Sequence, residues 1–132
     1  MSEGKRSVLQ GVPNALPALI KAQRMQEKAA QVGFEWDNIE DVWKKVEEEI
    51  GEFNESIEEQ DQEKMTQEFG DVIFAFINYA RHLGIDANRA LDLTNRKFKS
   101  RIEYIESTSA KPLSDMSLQE MDVLWDEAKT ME

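Results

Sequence analysis

The amino-acid sequence predicts an all-α fold: an antiparallel four-helix bundle with a short extra C-terminal helix, completed by dimerisation. Three observations carry this expectation. Apolar residues recur at steps of three and four through most of the chain, the spacing of one helix face. Gly and Pro are scarce, 6 and 3 of 132 residues, so few positions disfavour a helix. No segment shows the strict apolar–polar alternation of a half-buried strand.

The elements follow in order. Residues 1–13 are polar, with Gly4, Gly11 and Pro13, and read as an N-terminal tether ahead of a single domain at 14–132. Leu16, Leu19, Ile20, Met25 and Val32 predict a first helix over Asn14–Val32, with Pro17 in its first turn and Gly33 closing it. Asp37 or Asn38 caps a second helix, on which Ile39, Val42, Trp43, Val46, Ile50, Phe53 and Ile57 form the clearest stripe in the chain. Between Glu58 and Glu63 there is neither Gly nor Pro, so the next turn has no marked place. A third helix carries Met65, Phe69, Val72, Ile73, Phe76, Ile77, Ala80 and Leu83, with Gly84 as a left-handed residue at its end. Asp86 caps a fourth helix bearing Leu91, Phe98, Ile102 and Ile105, which fades near Ser107. After a linker around Lys111-Pro112, Ser117 and Glu120 form a capping-box pattern for a last helix with Leu118, Met121, Leu124 and Trp125. The third stripe is wide, since Ile77 lies well round from Met65. A second buried face, hence a homodimer or a dimer of dimers, is its simplest account.

Composition bounds the function. A chain of 132 residues, 40% hydrophobic and 33% charged, suits one soluble helical domain. No run approaches the about 18 apolar residues of a membrane span, and Met1–Gln10 lacks the apolar core of a signal peptide. A cytoplasmic protein without a membrane partner is expected. The absence of Cys removes thiolate metal sites, disulfides and cysteine nucleophiles. A net charge of −11 argues against polymeric nucleic acid as a partner. Small phosphorylated metabolites remain compatible, because a divalent cation inverts the local sign of an acidic pocket.

The acidic residues themselves form a constellation. Glu49 and Glu52 lie three apart on the second helix, and Glu68 and Asp71 three apart on the third. Residues at that spacing share a face, so two facing pairs would make a cage of four carboxylates. Measured from the centre of the second helix's stripe, Glu49 lies roughly 80° round and Glu52 roughly 140°, with Glu48 pointing away. Small Ala75, four beyond Asp71, leaves room beside the carboxylates, and Asn78 continues the row. Four such groups stay ionised together only with a cation between them. An oxygen-only set suits Mg²⁺, Mn²⁺ or Ca²⁺ rather than zinc. The competing reading is a solvated acidic helix face, since 27 residues are acidic. A di-iron bundle would want Glu three before His on two helices, whereas the sole His, His82, has Tyr79 at that position.

At these residues the sequence resembles a known family. Glu48-Glu49-x-x-Glu52, a gap of 15 residues, then Glu68-x-x-Asp71 looks like the signature of the all-α nucleoside triphosphate pyrophosphohydrolases. That superfamily includes MazG, dimeric dUTPases and phosphoribosyl-ATP pyrophosphatases. Leu16-Pro17-Ala18-Leu19, Val32-Gly33-Phe34-Glu35-Trp36, Phe69-Gly70-Asp71-Val72, Asn78 to Gly84 and Asn95-Arg96-Lys97-Phe98 resemble the C-terminal half of MazG. The likeness runs from about Gly4 to Trp125, and Gly4 to Leu9 looks like the link entering that half. A one-domain member or a piece of a longer protein would both fit.

The resemblance implies that Glu49, Glu52, Glu68 and Asp71 bind Mg²⁺, with Mn²⁺ as a substitute. Glu48 beside them would position water, making Glu48 and Glu49 the catalytic carboxylates. It implies hydrolysis of nucleoside triphosphates to nucleoside monophosphate and pyrophosphate, in nucleotide housekeeping with broad base use. Lys97 and Arg101 look like the family's phosphate-binding pair, and are otherwise ordinary surface cations. Trp125 looks like its aromatic contact to the nucleotide, and otherwise anchors the last helix. Asn78 offers an amide to a ligand or sugar, and equally to a cap or an interface. Lys64, four before Glu68, is expected to support it. Phe34 and Trp36 are expected in the core, and His82 in a structural role near Gly84. Two rivals stand beside this reading: dUTP or dCTP hydrolysis on the same fold, and a non-enzymatic acidic helical module that binds a basic protein.

Overall fold

A computed structural model of the protein describes residues 7–132. Most of the tether's first half, and with it Gly4–Arg6 of the resemblance, lies outside the described residues. Five α-helices follow: α1 (Ala18–Gln31), α2 (Ile39–Glu59), α3 (Gln62–His82), α4 (Ala87–Thr108) and α5 (Leu118–Thr130), with a 3-10 turn at Leu113–Asp115. Among the described residues there is no strand, and no helix is long and apolar enough to cross a membrane. The described fold is all-helical. It divides into two compact units, one running to Asn88 and the other spanning Arg89–Glu132.

Helix ends show local chemistry deciding the boundaries. α1 begins later than Asn14 because Pro17 sits at the N-cap with ψ 145, and its ring disfavours helical backbone at Leu16. Two helices end in the same left-handed motif. Gly33 (φ 95) and Gly84 (φ 74) let Phe34 N–H reach Ala29 O at 3.0 Å and Ile85 N–H reach Ala80 O at 2.8 Å, a Schellman closure. Between α2 and α3 only Gln60 and Asp61 intervene. Gln60 takes the left-handed conformation (φ 56), and the Asp61 side chain accepts from Lys64 N–H at 3.1 Å. Since Gln is an unusual residue there, the sequence carries no mark of this turn.

So short a link makes α2 and α3 antiparallel neighbours, and the ring pairs fix their register. Trp43 packs on Tyr79 (5.2 Å between centroids) near the open end, and Phe53 on Phe69 (5.3 Å) near the turn. The buried line of α2 is Val42, Val46, Glu49 and Ser56, rotated from the predicted stripe toward Glu49. Val46 and Ser56 are fully covered, and Ser56 Oγ donates to Phe53 O at 2.6 Å. On α3, Val72, Ala75, Ile77 and Asn78 are buried. A second apolar flank stays open on this hairpin: Trp43 and Ile57 of α2, Phe69, Ile73 and Phe76 of α3. These residues make the predicted stripes wide. α1 lies against α3, where Gln26 Nε2 donates to Phe74 O at 3.0 Å.

In the second unit α4 meets α5 through Phe98 and Trp125 (5.6 Å) and through Tyr104 Oη, which donates to Glu127 at 3.3 Å. The expected capping box closes α5: Glu120 N–H donates to Ser117 Oγ, and Ser117 N–H to the Glu120 carboxylate. Lys111 Nζ sits 2.8 Å from the same carboxylate. Lys111 first, then the Ser117 backbone N–H, lowers the Glu120 carboxyl to about 2. A depressed folded value contributes stability that is complete above the ordinary value and disappears as pH falls through the folded one. The parent is therefore expected to lose stability between pH 4.5 and about 2 more steeply than Glu120→Gln, which keeps the box but has no charge to lose. Urea unfolding of both proteins at pH 6 and pH 3 checks this.

Candidate functional site

The seam between α2 and α3 assembles the predicted carboxylates. Glu49 sits in the buried line of α2, 7% exposed, as its angle on the helix requires. Glu68 and Asp71 rise from the facing side of α3, the first half-buried and the second exposed. One oxygen from each of the three lies within 4.8 Å of the others. Glu52 is exposed and stands outside this trio. It still feels it: the Glu49 charge first, then loss of water and the Glu68 and Glu48 charges, raises the Glu52 carboxyl. Glu48 is on the open face of α2, 3.7 Å from Lys45, and Glu47 is likewise exposed.

Chemically this trio fits a hard cation. Glu49 Oε2 and Glu68 Oε2 are buried without a hydrogen-bond partner among the described residues, a costly state for a carboxylate oxygen. Oxygens on opposite sides of one Mg²⁺ lie about 4.2 Å apart, and somewhat farther for Ca²⁺, so the observed spread is close to a coordination sphere. One positive charge is already present. Lys45 Nζ binds Glu49 Oε1 at 2.8 Å, and that hydrogen bond raises the Lys45 ammonium further. Lys45 was not singled out from the sequence, although its place four before Glu49 is the spacing of a helical ion pair.

Beside the carboxylates opens a cavity of about 520 Å³, lined at one part by Glu49, Asp71 and Lys45 and elsewhere by Gln26, Ala75, Asn78 and Arg81. Its volume is that of a small-molecule site. Ala75 is buried there, giving the space its small side chain suggests. Phe34 and Trp36 correct the sequence expectation. They are 75% and 40% exposed and line the cavity instead of the core, because the Schellman turn at Gly33 carries the chain off α1 before either ring can pack inward.

A polar cluster fixes that wall. Arg81 binds Glu35 through two bonds of 2.9 and 2.8 Å and donates to Asn78 Oδ1 at 2.7 Å. His82 Nε2 lies 2.7 Å from Glu35, the structural role expected for it. Arg81 first among these partners holds the Glu35 carboxyl below its ordinary value. Lys64 feels the Glu68 charge as expected, but the larger cause that raises its ammonium is Glu59, which it binds at 2.7 Å across the tight Gln60-Asp61 turn.

In the second unit, Arg101 is engaged by Glu132 through bonds of 2.7 and 2.8 Å and lies over the Trp125 ring at 5.0 Å. Lys97 is exposed.

The chain is similar over most of its length to known proteins. The family model described as the MazG nucleotide pyrophosphohydrolase domain matches residues 38–105, a span that holds all four assigned carboxylates, Glu48, Lys97 and Arg101. The chain is 37% identical over 135 residues to a nucleoside triphosphate pyrophosphohydrolase of Escherichia coli (strain K12), covering 98% of the chain and 51% of that relative. It is 38% identical over 129 residues to the nucleoside triphosphate pyrophosphohydrolase/pyrophosphatase MazG of Thermotoga maritima, covering 95% and 49%. With the uncharacterized protein YabN of Bacillus subtilis it shares 48% over 130 residues, covering 96% and 27%. The chain thus spans about half the length of the first two relatives.

Proposed function

The chain belongs to the MazG nucleotide pyrophosphohydrolase family, and from that premise we propose that it hydrolyses nucleoside triphosphates to nucleoside monophosphate and pyrophosphate with Mg²⁺, Mn²⁺ serving as a substitute. One observation carries the reading: three carboxylates from facing helices converge within 4.8 Å at a cavity large enough for a nucleoside. Two of their oxygens are buried and lack a hydrogen-bond partner among the described residues.

In this reading Glu49, Glu68 and Asp71 hold the cation, and Glu52 joins them from the exposed turn of α2. Bound Mg²⁺ supplies neutralisation of the triphosphate and a lowered pKa for the attacking water. Glu48 orients water from the open face. Water's oxygen bonds to the α-phosphorus and gives up a proton to solvent, the bond between the α-phosphorus and the α–β bridging oxygen breaks, and pyrophosphate leaves with that electron pair. Such transfer asks the protein mainly for positioning and charge. Lys97 and Arg101 are the phosphate-binding cations, Arg101 exchanging its Glu132 carboxylate for phosphate, and Trp125 contacts the nucleotide. Asn78 contributes its amide to the cavity. The open flank at Trp43, Ile57, Phe69 and Phe76 supports a bundle completed as a homodimer or dimer of dimers. Nucleotide-pool housekeeping is the physiological role.

The test is a panel of nucleoside triphosphates with Mg²⁺ in which pyrophosphate and orthophosphate are scored separately. Pyrophosphate in equal amount to nucleoside monophosphate is expected, with activity lost to a chelator and restored by Mn²⁺. Nucleoside diphosphate and orthophosphate as the main products would refute the reading.

A further inference from the structure

The end of the predicted tether reaches the cavity. Residues 8–12 form a turn in which Leu9 N–H donates to Ser7 Oγ at 3.1 Å, Gln10 N–H to Ser7 O at 3.0 Å and Val12 N–H to Leu9 O at 3.1 Å, with Gly11 left-handed (φ 103). These bonds shape the turn from within. Its Leu9 lines the same cavity as Glu49 and Asp71 and is still 37% exposed. The neighbouring Val8 is 47% exposed and is not among the lining residues. Ordering a chain segment costs conformational entropy, and a half-covered leucine offsets little of that cost. Leu9 therefore has apolar surface left to lose, and that surface borders the cavity.

We propose that Leu9 is a substrate-binding residue, through which the segment ahead of α1 walls the nucleoside end of the cavity. The inference rests on the reading of the protein as a nucleoside triphosphate hydrolase. The lining divides by chemistry: Glu49, Asp71 and Lys45 bring charge to it, whereas Leu9, Met25, Phe34 and Trp36 are apolar. A triphosphate is drawn to the cation that the carboxylates hold, which leaves the apolar lining for the uncharged base and sugar. Phe34 and Trp36 are open, and an aromatic face stacks on any base. Leu9 adds aliphatic surface from a separate stretch of chain. A nucleoside entering there displaces water from these side chains, and the apolar area so covered supplies affinity. Having no side-chain donor or acceptor, Leu9 holds every base alike.

The experiment is equilibrium binding, with Mg²⁺, of α,β-methylene ATP and of inorganic tripolyphosphate, which carries the phosphates without a nucleoside. The parent is expected to favour the nucleotide, and Leu9→Ala to lower that preference by about 5-fold or more while binding tripolyphosphate as the parent does. Leu9→Met conserves volume and should keep the preference within about 2-fold of the parent. Val8→Ala shortens a side chain of the same turn outside the cavity and should leave the preference as it is. Because the preference is a ratio within each protein, general damage to the phosphate site cancels. Equal binding of the two compounds by the parent, no binding of either, a preference that survives in Leu9→Ala, or an equal loss in Val8→Ala overturns the assignment. Pyrophosphate release from ATP by the parent is scored beside it. A preference lost in Leu9→Ala, without release by the parent, would refute the proposed activity and leave the Leu9 contact standing. Release by the parent, with the preference intact in Leu9→Ala, would do the reverse.

Discussion

Glu49→Gln and Asp71→Asn are each expected to lower Mg²⁺-dependent pyrophosphate release by about 10²-fold or more, the several kcal/mol that a cation contributes to charge stabilisation in such a site. Both changes preserve size and remove one charge from the trio whose oxygens lie within 4.8 Å. The fold should persist. Glu49→Gln gives up an ion pair with Lys45, whose side chain is 39% exposed, but the amide oxygen still accepts a hydrogen bond from that ammonium. Relief of repulsion among Glu49, Glu68 and Asp71 acts in the stabilising direction. Glu47→Gln is the control. That carboxylate is exposed on another face of α2, so its loss should change turnover by no more than a few-fold, roughly 1 kcal/mol of barrier. Initial rates of the three variants, with thermal unfolding to verify folding, decide the matter. Equal damage from Glu47→Gln and Glu49→Gln would mean that total charge, not position, governs activity.

What could be read from the sequence, and what could not, follows from how local each signal is. Helices α2 and α3 were legible because Val42, Val46 and Val72 recur with helical period and Gly84 marks an end. Asn38 as a cap and the Ser117–Glu120 box were legible for the same reason, being written within four residues. The facing of Glu49 with Glu68 and Asp71 was reachable from i,i+3 spacing plus antiparallel neighbours. The Gln60-Asp61 turn was not, because it uses a left-handed Gln where a Gly would have announced it. That one turn also sends Lys64 to Glu59. Burial of α2 along Ser56, with Trp43 and Ile57 outside, was not legible either. A wide apolar stripe does not say which of its edges packs within the hairpin. Phe34 and Trp36 misled for a related reason: large rings favour burial, but a Schellman turn decides where the chain goes before hydrophobicity acts. Gln26 carried no signal at all, since its value lies in a bond to Phe74, 48 residues away.

These contrasts bear on the site. Its carboxylates were foreseeable because a helix presents them as rows, whereas the apolar and amide-bearing part of the cavity arises from long-range contacts of α1 with α3.

The most direct test of the central claim, that Glu49, Glu68 and Asp71 hold a divalent cation, is a titration of the nucleotide-free protein with Mn²⁺, followed by paramagnetic resonance of the free ion. The buried oxygens of Glu49 and Glu68 without partners among the described residues supply the affinity, and Lys45 on Glu49 opposes it, since its ammonium must release one oxygen before the full set is available. The parent should bind Mn²⁺ at a tight site that Mg²⁺ displaces. Glu68→Gln and Asp71→Asn should each weaken that site by about 10- to 100-fold or more, while Glu47→Gln leaves it unchanged. Unaltered Mn²⁺ affinity in Glu68→Gln and Asp71→Asn, with both proteins folded, would contradict the account.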